Sequence, residues 1–190
     1  LAGARRYAAT ELRSGVFLSQ PGGTYRFTPL PRIAQIAPIQ GLMAGDFDGD
    51  GYADLYAVQN SYAPNPGVGR FDGGLSQLLL GDGRGNFQPA EAARSGLVVP
   101  GDAKALVMLD LDDDGWPDFV VSRNNATTLA WRNQGVSGRH SVQVRLRGPA
   151  GNPNAIGATV RLELQDRAVQ RAEITAGGGY YSQSAPVAFF

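Results

Sequence analysis

The chain contains no cysteine, so neither a disulfide scaffold nor a thiolate metal centre is available to it. That absence suits an oxidising and a reducing compartment equally. An excess of either charge is also missing, because 17 Lys and Arg balance 17 Asp and Glu. The chain as a whole therefore makes no electrostatic case for binding nucleic acid or an anionic membrane. No stretch approaches the roughly 20 apolar residues of a transmembrane helix, so no membrane span is expected. The opening Leu1-Ala2-Gly3-Ala4-Arg5-Arg6 has no apolar core after its basic pair and does not read as a signal peptide. Long helical patterns are absent as well. What is abundant is turn chemistry, with 26 Gly and 12 Pro, which predicts an all-β fold of short strands and tight turns.

The aspartates are concentrated. Asp46-Phe47-Asp48-Gly49-Asp50-Gly51-Tyr52-Ala53-Asp54 recurs 64 residues later as Asp110-Leu111-Asp112-Asp113-Asp114-Gly115-Trp116-Pro117-Asp118. Carboxylates fall at positions 1, 3, 5 and 9 of each, with Gly at position 6 for a sharp turn. Four hard oxygen donors around one point are the ligand set of Ca²⁺, and two copies mean an internal repeat. An EF-hand is excluded. It needs a bidentate Glu at position 12, where this chain has Ala57 and Val121. Leu55-Tyr56-Ala57-Val58 and Phe119-Val120-Val121-Ser122 then place each loop before a strand. A metal-free Asp/Gly hairpin turn is the plain alternative, although four clustered carboxylates repel one another without a cation.

Hairpin signals frame the first loop. Val16-Phe17-Leu18 and Tyr25-Arg26-Phe27 flank Ser19-Gln20-Pro21-Gly22-Gly23, and Gln77-Leu78-Leu79-Leu80 precedes the glycine turn Gly81-Asp82-Gly83-Arg84-Gly85 before Asn86-Phe87. Asp82-Gly83-Arg84-Gly85-Asn86 carries too few carboxylates for a cation site and reads as a turn. Four antiparallel strands per repeat are the unit of a β-propeller blade. Residues 14–30 supply half a blade, 40–91 a whole one, and 104–133 three strands of another. Two to three blades do not close a ring, so further blades are expected upstream. After Asn133-Gln134-Gly135 the pattern changes to period-two stretches over 142–147 and 159–164, with a third candidate strand over 168–175. The expected organisation is a partial propeller over 1–135 and a small β-sandwich-like domain over 136–190. Arg139, Arg145, Arg147, Arg161, Arg167 and Arg171 read as solvated strand faces of that second part.

The two Asp-rich strings resemble the FG-GAP or VCBS-like repeats of integrin α-type β-propellers. Arg139-His140-Ser141-Val142, Asn154-Ala155-Ile156-Gly157-Ala158-Thr159-Val160 and Gly179-Tyr180-Tyr181-Ser182-Gln183-Ser184 resemble the ASPIC/UnbV domain. Such domains follow propellers in secreted bacterial proteins and in the cartilage acidic protein group. The resemblance implies two Ca²⁺ sites, with ligands Asp46, Asp48, Asp50 and Asp54 in one and Asp110, Asp112, Asp114 and Asp118 in the other. It adds the backbone carbonyls of Tyr52 and Trp116, while Asp113 at position 4 points away. Family members usually carry more repeats upstream and a Phe-Gly-Leu-Gly-like string after the last strand, so the chain is read as a fragment of a larger protein.

The expected function is a calcium-binding, non-enzymatic adhesion or protein-interaction module, extracellular or at the cell surface, or periplasmic in a bacterium. Its partner would be an unidentified protein or glycan. Carbohydrate binding is the first alternative, with Tyr180, Tyr181, Trp116 and Trp131 as stacking candidates against a plain role as core aromatics. A scaffold for a secreted enzyme is the second. The chain has no Gly-x-Ser-x-Gly elbow, His-Glu-x-x-His helix or Walker loop, and its one histidine, His140, reads better as a surface residue than as a general base. Asn125-Ala126-Thr127 fits a glycosylation sequon, which ordinary turn chemistry also explains.

Overall fold

A computed structural model describes every residue except 1, 2, 4, 6, 64 and 166–168. Strands make up 37% of the described residues and helix 4%, so the fold is all-β, built from several small antiparallel sheets without a closed barrel. A first hairpin pairs β1 (Gly15–Gln20) with β2 (Thr24–Pro29). The second sheet is a four-stranded meander of β3 (Ile39–Gly45), β4 (Asp54–Gln59), β5 (Gln77–Gly81) and β6 (Phe87–Pro89). A third sheet pairs β7 (Ala103–Leu109), β8 (Asp118–Arg123) and β9 (Ala126–Trp131) in that order. One aspartate loop joins β3 to β4 and the other joins β7 to β8. A four-residue α1 (Ala92–Ser95) follows β6 and ends at Gly96, whose φ of 68° is left-handed. That φ suits glycine, which has no Cβ to collide with the carbonyl.

The second sheet is covered on both faces, and β4 shows why. All six of its residues are buried, and its period of two sends them alternately to two different cores. Leu55 joins Leu30, Ala34 and Leu79 on the side of the first hairpin. Tyr56 and Val58 join Val99, Ala103, Leu106, Phe119 and Val121 on the side of the third sheet. Tyr56 and Phe119 lie 4.6 Å apart between ring centres, and Phe47 meets Phe119 edge-on at 5.0 Å. A continuous apolar strand is what a doubly covered sheet requires.

Gln59 and Asn60 at the end of β4 are buried and their side-chain amides bond to backbone, while Gln59 Oε1 has no partner among the described residues. Gln59 Nε2 donates to the carbonyls of Ala34 and Ala37, both at 3.1 Å. Asn60, with φ of 93°, donates to the carbonyls of Gly74 and Gly101 at 2.7 and 2.8 Å, and accepts from Gly74 N–H at 2.8 Å. These bonds tie the second sheet to its neighbours. The close approach of β3 to β7 explains one glycine: a Cβ on Gly41 would lie 2.9 Å from Leu106 Cβ.

Beyond the third sheet, the strands are short. β10 (Gln143–Val144) pairs with β13 (Ala188–Phe189), and β11 (Thr159–Leu162) with β12 (Gln170–Glu173). They share a core of Ile174, Ala188 and Phe190, packed by Val144, Leu146, Ile156, Val160 and Leu162. The period-two stretch over 142–147 forms a ladder only at β10, extended by reciprocal Val142–Phe190 backbone bonds of 2.7 and 3.0 Å. Of the third candidate strand, Ala168 lies outside the described residues, as does Arg167. Arg145, Arg147, Arg161 and Arg171 are exposed.

The C-terminal part lies along the outer edge of β7. Ser184 Oγ accepts from Met108 N–H at 3.0 Å, Ser182 Oγ donates to the Leu106 carbonyl at 3.2 Å, and Ala185 N–H donates to the Met108 carbonyl at 3.1 Å. An edge strand that would otherwise present unpaired backbone groups is thereby capped.

Leu79 is fully buried between the first hairpin and the second sheet. Leu79→Ala is expected to cost about 2–5 kcal/mol, read as a fall in the urea midpoint with unchanged slope.

Candidate metal centres

The two loops are built alike down to individual hydrogen bonds. The fifth residue's N–H donates to the first aspartate's Oδ1 in both, Asp50 to Asp46 at 3.0 Å and Asp114 to Asp110 at 3.2 Å. The sixth residue's N–H donates to Oδ2 of the same aspartate, Gly51 at 2.7 Å and Gly115 at 3.0 Å. The seventh residue's N–H donates to the fifth aspartate, from Tyr52 to Asp50 and from Trp116 to Asp114, both at 2.8 Å. The loop thus folds around its own first carboxylate. Position 6 must be left-handed, with φ of 91° at Gly51 and 89° at Gly115. Position 4 is left-handed too: Gly49 fills it in the first loop at 71°, and Asp113 in the second at 59°. Aspartate is one of the few side chains that tolerates that region, which accounts for the fifth carboxylate of the second loop.

The ninth aspartate locks each loop onto the sheet. Asp54 Oδ2 accepts from Phe47 N–H at 2.9 Å and Oδ1 from Gly81 N–H at 2.9 Å. Asp118 Oδ2 accepts from Leu111 N–H at 2.6 Å and Oδ1 from Asn133 N–H at 2.7 Å. Both side chains are buried. Burial pushes Asp54 up to about 6, with Asp48 and Asp46 adding repulsion against the pull of its two N–H donors. Burial raises Asp118 as well, aided by Asp112 and Asp114. Asp48 is raised by burial and then by Asp50, while Arg139 pulls it down.

Carboxylate oxygens of Asp46, Asp48 and Asp50 lie within 4.8 Å of one another, as do those of Asp110, Asp112 and Asp118. Ca²⁺–oxygen bonds of 2.3–2.6 Å put ligands on opposite sides of an ion roughly 5 Å apart, so each group spans one coordination sphere. The donors are all hard oxygen, and the set fits Ca²⁺ chemistry. Asp54 stands outside the first group and Asp114 outside the second. Tyr52 and Trp116 hold the seventh position of their loops. The Trp116 ring extends from the second loop toward the first, where a Cβ on Gly49 would meet its Cη2 at 3.1 Å. Asp82 accepts from Arg84 N–H, Asn86 N–H and Asn86 Nδ2, which closes the glycine turn between β5 and β6.

Further residues touch the loops that sequence reasoning did not place there. Arg139 donates to the Asp48 carbonyl at 2.7 Å and to Asp48 Oδ1 at 2.9 Å, instead of standing on a solvated strand face. Arg132 donates to Asp112 Oδ2 at 2.9 Å. Gln170 Nε2 donates to Asp46 Oδ2 and Gln143 Nε2 to Asp110 Oδ2, each at 2.9 Å. No local motif announces them, since 20 to 124 residues separate the partners. His140 is exposed beside Arg139. A cavity of about 590 Å³ opens beside the first loop, lined by Asp46 and Tyr52 on one side and by Gln170, Ile174, Val187 and Phe189 on the other.

The class is thus an all-β chain carrying two like carboxylate loops on neighbouring sheets. Residues 148–190 match the family model described as ASPIC and UnbV, which supports that part of the resemblance for the C-terminal strands. No curated protein matches the chain. No helix among the described residues is long and apolar enough to cross a membrane.

Two outcomes follow from this geometry. Asp113→Gly relieves a left-handed non-glycine residue and is expected to be neutral or stabilising by up to about 1 kcal/mol, read by urea unfolding, without change in cation uptake. The second concerns pH in EDTA. Asp54 binds its proton more tightly folded than unfolded, because its value rises from 3.8 to about 6. Its contribution to stability is therefore full below about pH 4 and lost as the pH rises through about 6. Asp54→Asn, which cannot ionise, is expected to flatten that slope, whatever its effect on absolute stability.

Proposed function

We propose that the chain is a calcium-binding, non-enzymatic interaction module of an FG-GAP/VCBS-type propeller, working outside the cytoplasm. The observation that carries this reading is the pair of loops with the same carboxylate positions and three N–H-to-aspartate hydrogen bonds in common at positions 5, 6 and 7. Asp46, Asp48 and Asp50 would hold one ion and Asp110, Asp112 and Asp118 the other, with the carbonyls of Tyr52 and Trp116 and the carboxylates of Asp54 and Asp114 as further oxygen donors. A bound Ca²⁺ supplies positive charge that cancels the repulsion among these carboxylates. The loops, the strands they connect and the surface between them would be held rigid, which suits recognition of a protein or glycan partner by loops on a fixed scaffold. Extracellular calcium modules bind at about 10⁻⁴–10⁻³ M, a range matched to millimolar surroundings.

A second reading, glycan binding, rests on Tyr181. It is 91% exposed, holds a left-handed φ of 46° and meets the Tyr180 ring edge-on at 4.8 Å. Trp131 instead packs on the core between the second and third sheets, and Trp116 spans the loops. Loss of binding on a glycan array by Tyr181→Ala would favour this reading, and an array without hits would leave the protein-interaction one.

Calorimetric titration with calcium chloride is expected to show two sites in the range above. At 10 mM calcium each site would add roughly 1.4–2.7 kcal/mol of stability, or about 3 °C of Tm per kcal/mol for a chain of this size. The double variant Asp48→Ala with Asp112→Ala should lose most of that shift. An unaltered calcium response in the double variant, or no response in the wild type, counts against the proposal.

A further inference from the structure

The strongest unassigned feature is the pair of glutamines at the loops. Gln170 lies on β12 and Gln143 on β10, on different sheets of the C-terminal part and 27 positions apart in sequence. They are not repeats of each other. Yet each places its side-chain amide on the same atom of the same loop position, Oδ2 of the first aspartate, at 2.9 Å. That aspartate is the one around which each loop folds, through two backbone N–H donors. Both glutamines are half-buried.

Two arginines also reach the loops, at position 3 of each. Those pairs are exposed, with 40% and 60% of the arginine side chains open to solvent, where ion pairs contribute little. A guanidinium also competes with a divalent cation for its carboxylate. A neutral amide does not. It orients the carboxylate, filling Oδ2 together with the glycine N–H, and leaves a lone pair on Oδ1, which has a single N–H donor, for a cation. Its own amide oxygen lies one rotation away, at a spacing close to that between adjacent ligand oxygens around Ca²⁺.

We propose that Gln143 and Gln170 couple the docking of the C-terminal β-module to cation binding in the two loops, each glutamine positioning the first aspartate of one loop. The proposal rests on the calcium reading above. Ordered aspartates receive both the cation and the glutamine, so each event favours the other, and reciprocity requires equal factors in both directions. In the absence of the cation the module remains attached through Ser182, Ser184 and Ala185 on the edge of β7, but its hold on the loops loosens. A soluble cation would then tune how firmly a second module, lined on one side by the cavity beside Asp46, stays closed.

The test uses the full chain with calcium chloride as probe and magnesium chloride as a comparison. Hydrogen exchange is followed in β10 and β12 with calcium and with EDTA, and calcium affinity is measured by calorimetry. The wild type is expected to gain protection in both strands with calcium. The double variant Gln143→Ala with Gln170→Ala should lose that gain and bind calcium on the order of tenfold more weakly. The double variant Gln143→Glu with Gln170→Glu gives a readout that a purely structural role would not move. Like charges should loosen β10 and β12 in EDTA, whereas added carboxylates should tighten calcium binding and restore protection. Calcium binding by the wild type with no change in β10 or β12, together with wild-type affinity in the alanine variant, overturns the coupling and leaves the calcium reading standing. A wild type that takes up no calcium removes the calcium reading, and the coupling with it.

Discussion

A carboxylate buried at the root of each loop is the constraint on which the rest of the structure hangs. Asp54 and Asp118 begin β4 and β8, and each accepts two backbone N–H groups, one from its own loop and one from farther along the chain, Gly81 at the end of β5 for Asp54 and Asn133 after β9 for Asp118. Without these two side chains, four N–H groups would lose their partners, at about 1–3 kcal/mol where the group is fully buried, as at Phe47. The same two bonds fix where the loop leaves and re-enters the sheet. They therefore set the distance over which the first, third and fifth aspartates converge. The tension is electrostatic: a group needed as an acceptor is buried beside other carboxylates, and burial opposes its charge.

Stacking transmits this local geometry across the molecule. β4 is apolar on both faces and divides two cores, so the first loop sits on a strand that neighbours grip from either side. Gly41 lets β3 approach β7, bringing the second loop close enough for Trp116 to reach Gly49. The C-terminal strands then lie across the same end of the sheets, where Gln143, Gln170 and Arg139 meet the loops. Few of these contacts are worth much singly; their common location gives them weight.

Short-range spacing made the loops and the second sheet legible. Carboxylates at positions 1, 3, 5 and 9, with Gly51 and Gly115 at position 6, are decided within nine residues, and the strands on either side declare themselves by apolar content. The order β3, β4, β5, β6 follows the chain, each strand pairing with the next even across the long connection over 60–76. What spacing does not carry is the direction of individual oxygens. Asp54 and Asp118 share a sequence position, yet only Asp118 joins its loop's converging group. Nor does any local pattern reveal Gln170 beside Asp46, 124 residues away. The ladder at β10 came out shorter than its period-two pattern because pairing needs a partner strand, and β13 offers two residues. α1 was missed for a related reason: a four-residue helix is shorter than the periodicity that reveals one.

The position of Trp116 has a practical side. The chain has two tryptophans, and they sit in unlike places. Trp131 packs on a core that the sheets enclose, whereas the Trp116 indole lies over Gly135 and against Gly49, in the seam between the loops. Indole emission follows the polarity and rigidity of its surroundings. The molecule thus carries a native optical gauge of that seam, read against a steady background from Trp131. The absence of cysteine extends the same advantage, since a single thiol placed on any exposed turn would be the chain's sole attachment point for a second dye.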